Sequence, residues 1–169
     1  MDNEKIIWSE TGTKNGHDYS HAQKFIFNDG GREAAGFKGT TGDCVTRAIA
    51  IVTGIPYKEV YDEINRLGQN ERIGKRKKKK SNARTGVYKS TYKKYLMSLG
   101  YKWIPTMQIG SGCKVHLRSD ELPSGNLIVS VSRHLTVVIN GVIHDTHDCS
   151  RAGTRCVYGY YIKNVGDNK

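Results

Sequence analysis

The sequence has little of several features that mark other classes of protein. Its 169 residues include three prolines and three phenylalanines. No stretch approaches the roughly 20 consecutive apolar residues that a membrane-spanning helix needs. The first ten residues, MDNEKIIWSE, lack the basic and then apolar pattern of a secretory signal. The composition, with 37% apolar and 25% charged residues, is typical of an ordered chain. We therefore expect a single folded domain over residues 1–169, located in the cytoplasm and not in a membrane.

Acidic residues are also scarce, and the excess of positive charge is unevenly distributed. The chain has 27 Lys and Arg against 16 Asp and Glu, which gives a net charge of +11. More than half of that excess comes from one run, which consists of Lys75, Arg76, Lys77, Lys78, Lys79 and Lys80. Because adjacent like charges repel one another, we expect a basic, mobile loop over residues 72–84 between two helices. Such a loop either binds nucleic acid or another polyanion, or is solvated with incidental charge.

Cysteine is infrequent, and the four that occur are Cys44, Cys113, Cys149 and Cys156. A chain of this length can bury a core without disulfides, and the absence of a secretory pattern argues against an oxidising compartment. We therefore expect reduced thiols. Each is a candidate for reactivity, metal ligation or simple burial.

Helical periodicity dominates the first half of the chain. From Cys44 onward, apolar residues recur at helical spacing, at Val45, Ala48, Ile49 and Val52. Gly54 closes this helix, a second runs from Pro56 to a stop at Gly68, and a third covers about Lys89 to Leu99. The first 22 residues carry too little pattern for an assignment.

The second half of the chain has the pattern of short strands, rich in Val, Ile and Tyr and separated by turn residues. They are Tyr101–Pro105, Lys114–Leu117, Leu127–Ser132, Leu135–Ile139, Val142–Thr146 and Val157–Ile162. A further short strand is predicted at Lys24–Phe27, before a turn. Helices followed by strands predict an α+β fold, with a helical N-terminal half packed on a C-terminal antiparallel sheet.

Cys44 stands at the predicted start of a buried helix, in the sequence Thr41-Gly42-Asp43-Cys44. Unpaired backbone N–H groups and the helix dipole favour an anion at this position, which lowers the pKa of a thiol and raises its thiolate fraction. A nucleophilic cysteine is one interpretation. The other is that Cys44 is a small buried apolar residue, as many cysteines are.

A predicted hairpin brings a histidine and a carboxylate together. Asn140-Gly141 separates two β-branched runs, which is a strong signal for a two-residue turn. His134 then lies opposite His147, and Asp145 is its diagonal neighbour on the same face, within hydrogen-bonding reach. A three-residue loop would reverse this facing. A thiol nucleophile needs such a pair, because the imidazole takes the thiol proton and the carboxylate orients the ring. Otherwise the pair is a polar contact on a solvated sheet.

These motifs, in this order along the chain, resemble those of the papain-like cysteine peptidase superfamily. The segment from His134 to Asp145 is most similar to the bacteriocin-leader peptidases, and Gly42-Asp43-Cys44 followed by Arg47-Ala48-Ile49 is similar to the helix start of ovarian-tumour-type deubiquitinases. The resemblance spans about residues 41–161. It implies a papain-like fold that cleaves a peptide or isopeptide bond, with Cys44 as nucleophile, His134 as base and Asp145 as orienting group. The same groups also suit deamidation or acyl transfer.

The oxyanion donor departs from the papain-like pattern. Such enzymes usually carry a Gln about six residues before the nucleophile, and this chain has Lys38 there. Backbone N–H groups of Asp43 and Cys44 are the alternative donors, together with a hydroxyl of Thr40 or Thr41.

Two other interpretations use the remaining polar residues. Cys113-x-x-His116 and His144-x-x-His147-x-Cys149, with Cys156 nearby, offer enough ligands for zinc, but the two histidines of the second motif face opposite sides of the predicted hairpin. The tyrosines of the last strand, Tyr158, Tyr160 and Tyr161, suit either stacking on RNA bases or packing in the core. We expect no metal and no cofactor, a protein or peptide as substrate, and no membrane partner.

Overall fold

The computed structural model describes residues 24–163, so the unassigned N-terminal segment and the residues that bear on a signal sequence lie outside it. The described residues have an α+β fold with three helices and a six-stranded sheet. They cluster into two compact units. The sheet unit comprises the residues up to Asn28 and Trp103–Ile162, and the helical unit comprises Asp29–Lys102 with Lys163. A single domain over residues 1–169 stays a prediction.

The helical unit contains three helices, whose bounds agree closely with the predicted ones. Helix α1 is Cys44–Thr53, α2 is Tyr57–Gln69 and α3 is Lys89–Ser98. The apolar stripe of α1 is buried as predicted, and Gly54 follows the helix in the left-handed conformation. Helix α2 continues past the expected stop at Gly68. None of the helices among residues 24–163 has the length and apolar character that crossing a bilayer requires.

The basic run lies between α2 and α3, as predicted, but part of its loop is buried. Ser81 and Ala83 are 5% and 0% exposed, so the exposed excursion expected over residues 72–84 ends before Ser81. Gly68 explains how this segment packs on α2, because a Cβ at Gly68 would lie only 2.3 Å from the carbonyl oxygen of Ser81. The mobility of the loop stays a prediction.

The sheet has the order β1-β5-β4-β3-β6-β2. Its strands are β1 at Lys24–Phe27, β2 at Tyr101–Pro105, β3 at Asn126–Val131, β4 at His134–Ile139, β5 at Val142–Asp145 and β6 at Val157–Lys163. β2 begins in the helical unit and enters the sheet unit at Trp103. The inner strands carry the core, where Leu127, Val129, Val138 and Ile143 pack with the thiol of Cys149.

Three sequence-based expectations about the sheet region are wrong. The sheet is mixed and not purely antiparallel, because β1 pairs in parallel with β5. The predicted strand Lys114–Leu117 reduces to an isolated bridge between His116 and Cys156. Cys113 and Cys156 are not reduced thiols but form a disulfide, with their Cα atoms 5.8 Å apart.

Candidate functional site

The hairpin of β4 and β5 has the register that its turn residues predict. Ile139 pairs with Val142, and Val137 pairs with His144. Asn140 and Gly141 both have positive φ, 47° and 80°, as a two-residue hairpin turn of the primed type requires. This register places Asp145 and His134 on the same face of the sheet, at the end of the hairpin away from the turn.

His134 and Asp145 form a hydrogen-bonded pair in which the carboxylate is buried and the imidazole is partly buried. The Nε2 atom of His134 lies 2.7 Å from Oδ2 of Asp145, and the two side chains are 12% and 2% exposed. The other carboxylate oxygen accepts a hydrogen bond from the backbone N–H of Thr146 at 2.7 Å. A carboxylate held in this way fixes the orientation of the imidazole and stabilises its cationic form.

Two further side chains surround this pair within the sheet unit. The ring of His147 lies 5.2 Å from the ring of His134, as the predicted register implies. Cys149 offers a sulfur that, with one ligand atom each of His134 and Asp145, forms a group whose members all lie within 4.8 Å of one another. Sequence reasoning left Cys149 open between reactivity, metal ligation and burial and did not place it beside the His134–Asp145 pair. The signal that sequence reasoning missed is strand alternation. In an extended segment that continues beyond β5, the side chains of residues 145, 147 and 149 lie on the same face.

Cys149 is held in place by a hydrogen-bonded turn. Its carbonyl oxygen accepts a hydrogen bond from the guanidinium of Arg155 at 3.2 Å, and the backbone N–H of Arg155 donates to the carbonyl of Ser150. Asp148, on the other side, accepts the backbone N–H of Ser150 at 2.8 Å. The thiol is 2% exposed and packs against the apolar core. It is therefore fixed and shielded from large molecules.

Cys44 is the first residue of α1, as its periodicity predicts, and its side chain is partly exposed. The residue before it, Asp43, has a fully buried carboxylate. Tyr57 donates its hydroxyl to that carboxylate at 2.8 Å, and the Nε atom of Arg47 donates at 3.0 Å. Arg32 lies 3.5 Å from the same oxygen as Arg47. Burial, and then the hydrogen bond to Asp43, raise the pKa of Tyr57 well above its ordinary value.

The start of α1 is also bonded to the segment that follows the basic run. Thr41 donates its hydroxyl to the carbonyl of Arg84 at 2.5 Å, and Thr46 donates to the carbonyl of Ala83 at 2.6 Å. A hydroxyl has one hydrogen, so Thr41 is poorly placed to donate to an oxyanion as well. Thr40 is exposed. The backbone N–H groups of Asp43 and Cys44 stay the predicted oxyanion donors.

One carboxylate, Glu71, organises the basic run. It accepts hydrogen bonds from the backbone N–H and hydroxyl of Ser81, at 2.7 and 2.6 Å, and from the hydroxyl of Thr91. Lys77 forms an ion pair with it at 2.9 Å and lies over the ring of Tyr88. Burial disfavours the charged carboxylate, but these hydrogen bonds outweigh burial and lower the pKa of Glu71 to about 2.

The other members of the basic run point outward. Lys80 donates to the carbonyl of Gln69 at 2.6 Å. The remaining members are exposed, and they are Lys75, Arg76, Lys78 and Lys79. The structure thus divides the run into two residues with partners, Lys77 and Lys80, and an exposed cationic surface formed by the others.

Three contacts in the structure argue against the zinc and RNA interpretations drawn from the sequence. Cys113 and Cys156 are joined in the disulfide. The Nδ1 atom of His116 lies 3.1 Å from Oε2 of Glu121. Tyr161 is completely buried and packs on Trp103, with ring centroids 4.8 Å apart, so it cannot stack on a base.

The chain matches no protein-family model, no curated protein and no solved structure. The chemistry of the residues described above, and not a likeness to a known protein, carries the functional argument.

Proposed function

We propose that the protein is a papain-like thiol hydrolase that cleaves a peptide or isopeptide bond. In this proposal Cys44 is the nucleophile, His134 the base and later the acid, and Asp145 the orienting group. The observation that carries it is the partly buried 2.7 Å hydrogen bond between His134 and Asp145. A histidine oriented by a buried carboxylate is the group that activates a thiol in this class of reaction.

A comparison of the four cysteines, by burial and by covalent state, supports Cys44 as the reacting thiol. Cys113 and Cys156 are bonded to each other. Cys149 lies near the His134–Asp145 pair but is 2% exposed, so a substrate carbonyl cannot reach it without local opening. Cys44 is a partly exposed thiol at the start of a helix, where the helix dipole favours the thiolate.

The proposed reaction has two steps. The Cys44 thiol transfers its proton to His134, and its sulfur attacks the carbonyl carbon to give a tetrahedral oxyanion. Collapse of this intermediate breaks the C–N bond, and His134 gives the proton to the departing amine, which leaves a thioester. Water then loses a proton to His134 and attacks the thioester. The products are a carboxylic acid and the regenerated thiol.

The same groups support deamidation or acyl transfer, and the acceptor distinguishes these outcomes. Ammonia leaves in the first step if the bond attacked is a side-chain amide. An amine replaces water in the second step if the protein is a transferase. A cytoplasmic location and a protein or peptide substrate belong to this proposal.

The rate of thiol alkylation tests the proposal. Iodoacetamide at pH 7, followed by peptide mass spectrometry, gives the rate at Cys44 and at Cys149 separately. We expect Cys44 to react first, and His134→Ala to slow its alkylation. An ordinary thiol of pKa near 8.5 is only about 3% ionised at pH 7, so losing the base reduces the rate roughly ten- to thirtyfold.

The matched control is His144→Ala, which removes a histidine from the opposite face of the same hairpin. It should leave the rate at Cys44 unchanged. Alkylation of Cys44 at the wild-type rate in His134→Ala would contradict the proposal. A peptide-library cleavage assay completes the test, because Cys44→Ala should abolish any cleavage that the wild-type protein shows.

A second candidate function is nucleic-acid binding by the basic run. The contacts of Glu71 favour this function. Its ion pair with Lys77 and its hydrogen bond from Ser81 fix the loop at two points, and the exposed lysines lie on that loop. Phosphates bind such clustered cations with a strong dependence on salt.

Salt-dependent RNA binding tests this candidate. Replacing Lys75, Lys78 and Lys79 by serine should weaken binding of a fluorescent single-stranded RNA and flatten the plot of log affinity against log salt. The control replaces three exposed lysines of α3 that carry the same total charge, Lys89, Lys93 and Lys94. Equal losses in both variants, or no RNA binding by the wild-type protein, would exclude a specific role for the run.

A further inference from the structure

We propose that His134, Asp145 and Cys149 bind a zinc ion, with His147 as the fourth ligand. The three core side chains offer one nitrogen, one carboxylate oxygen and one sulfur, all within 4.8 Å of one another. This set differs from the possible zinc motifs weighed in the sequence, where no metal was expected, because it excludes the disulfide-bonded cysteines and takes Cys149 together with the hairpin.

The spacing of the ligand atoms is close to what zinc requires. Tetrahedral zinc with bonds of about 2.0–2.3 Å places its ligand atoms roughly 3.3–3.8 Å apart. The Nε2–Oδ2 distance of 2.7 Å must therefore widen slightly, and the sulfur lies within 4.8 Å of a ring nitrogen and of a carboxylate oxygen. The hydrogen-bonded turn around Cys149 already fixes the sulfur near the pair.

The fourth ligand comes from the solvent side. His147 is exposed, and its ring centroid lies 5.2 Å from that of His134. A rotation of this ring brings a nitrogen toward the buried ligands, and the exposed side of His147 gives the ion a route into the site. The three core ligands are mostly buried, which protects a bound ion from exchange.

The chemical types of the donor atoms determine which metal ion the site prefers. Thiolate and imidazole prefer zinc and similar borderline ions, whereas magnesium and calcium require oxygen ligands. Binding replaces the thiol proton of Cys149, which passes to solvent, and moves the Nε2 proton of a neutral His134 to Nδ1, so that the ring ligates the metal as a neutral imidazole.

Zinc would have a regulatory consequence, which rests on the proposed function. An imidazole that ligates zinc through Nε2 no longer donates a hydrogen bond from that atom to the carboxylate, and it cannot become cationic. His134 then loses its ability to take the thiol proton of Cys44. The bound form is therefore an inhibited form, and zinc release restores the pair.

Cobalt and zinc titrations of the full chain, with its disulfide intact, test the site without an activity assay. Cobalt bound to a thiolate gives a charge-transfer absorption band in the near ultraviolet. We expect this band to saturate at a single equivalent and to disappear when zinc is added. Cys149→Ser should abolish the band, whereas Cys44→Ser and the matched hairpin control His144→Ala should retain it.

A second variant keeps the test decisive if Cys149→Ser does not fold. His147 is exposed, so His147→Ala leaves the core intact, and we expect it to weaken cobalt binding by at least about tenfold. The proposal is overturned by an absent band in the wild-type chain, by a band that survives Cys149→Ser, or by unchanged affinity in His147→Ala. Zinc binding by a chain whose Cys44 shows no elevated reactivity would refute the hydrolase while the metal site stands.

Discussion

Asp43 is the residue on which the start of α1 depends. Its carboxylate is completely buried and accepts hydrogen bonds from Tyr57 and Arg47, with Arg32 nearby. A buried carboxylate is costly unless donors compensate for lost hydration. These donors therefore stabilise the backbone immediately before Cys44. Because Cys44 is the next residue, the nucleophile of the proposed reaction is held in place as well.

Tyr57→Phe should lower the free energy of unfolding by about 1–3 kcal/mol, because it removes a donor from a buried charge and leaves the ring packing unchanged. Urea denaturation monitored by circular dichroism measures the change. Tyr61→Phe is the matched control, since Tyr61 is on the same helix and packs on the same ring, Phe37. Equal effects of the two substitutions would show that Asp43 does not depend on the Tyr57 hydroxyl.

Individual residues of the site were predictable where the signal was local. Asn140-Gly141 defines a turn of known length, and the register of the hairpin, with the contact of His134 and Asp145, follows from strand geometry. The Asp43 contacts were not predictable, because Arg32 and Tyr57 lie 11 and 14 positions away with no periodicity that links them. The position of Cys149 beside the His134–Asp145 pair was not predicted, because Cys149 lies after the last residue of β5.

At the scale of elements, Glu71 connects α2, the basic run and α3. It follows α2 directly, accepts hydrogen bonds from Ser81 in the loop, and accepts one from Thr91 in the first turn of α3. Gly68 permits the loop to approach the helix closely. One carboxylate thus connects α2 and α3 to the loop between them, which lacks regular secondary structure.

Glu71→Gln should destabilise the protein at neutral pH and not in acid. The pKa of Glu71 is about 2 in the folded protein and near 4.5 when unfolded, so its stabilising effect is complete above 4.5 and disappears as the pH falls toward 2. The expected loss at pH 7 is about 3 kcal/mol. Urea denaturation at a series of pH values measures it. Glu59→Gln, an exposed substitution on α2, is the control, and a difference from wild type that persists at pH 2 would contradict this account.

Helices with a strong apolar periodicity were predicted well. Strands that pair with distant segments of the chain were predicted poorly. The apolar stripe of α1 and the glycine after it gave both ends of that helix. The parallel pairing of β1 with β5 was not predictable, since strand direction depends on the path of the chain through the helical unit. Lys114–Leu117 has strand-like residues but makes an isolated bridge, because the disulfide and Glu121 hold it in an irregular conformation.

For the molecule as a whole, the disulfide is the feature that composition did not predict. Cys113 and Cys156 are 43 positions apart, so the bond closes a long segment that includes β3, β4 and β5. Disulfides of this kind are rare in reducing compartments. The expected cytoplasmic location stays a prediction, and this bond is the observation that weighs against it.

Removing the bond with Cys113→Ala and Cys156→Ala together should cost about 2–4 kcal/mol of stability, because a long loop regains freedom in the unfolded chain. Thermal unfolding with and without a reductant measures this cost. The reductant should lower the stability of the wild-type protein to that of the double variant and leave the variant itself unchanged. Peptide mapping without reduction that recovers both cysteines as thiols would contradict the assignment.

The parallel pairing of β1 also determines the order in which the sheet can be completed during translation. β1 leaves the ribosome early, but its partner β5 is not synthesised until α1, α2, α3 and three other strands have been made. Contacts between such distant segments form slowly. The segment Lys24–Phe27 therefore has no β5 to pair with until Val142–Asp145 has been made, and a chaperone that binds short apolar strands has that interval in which to act on it.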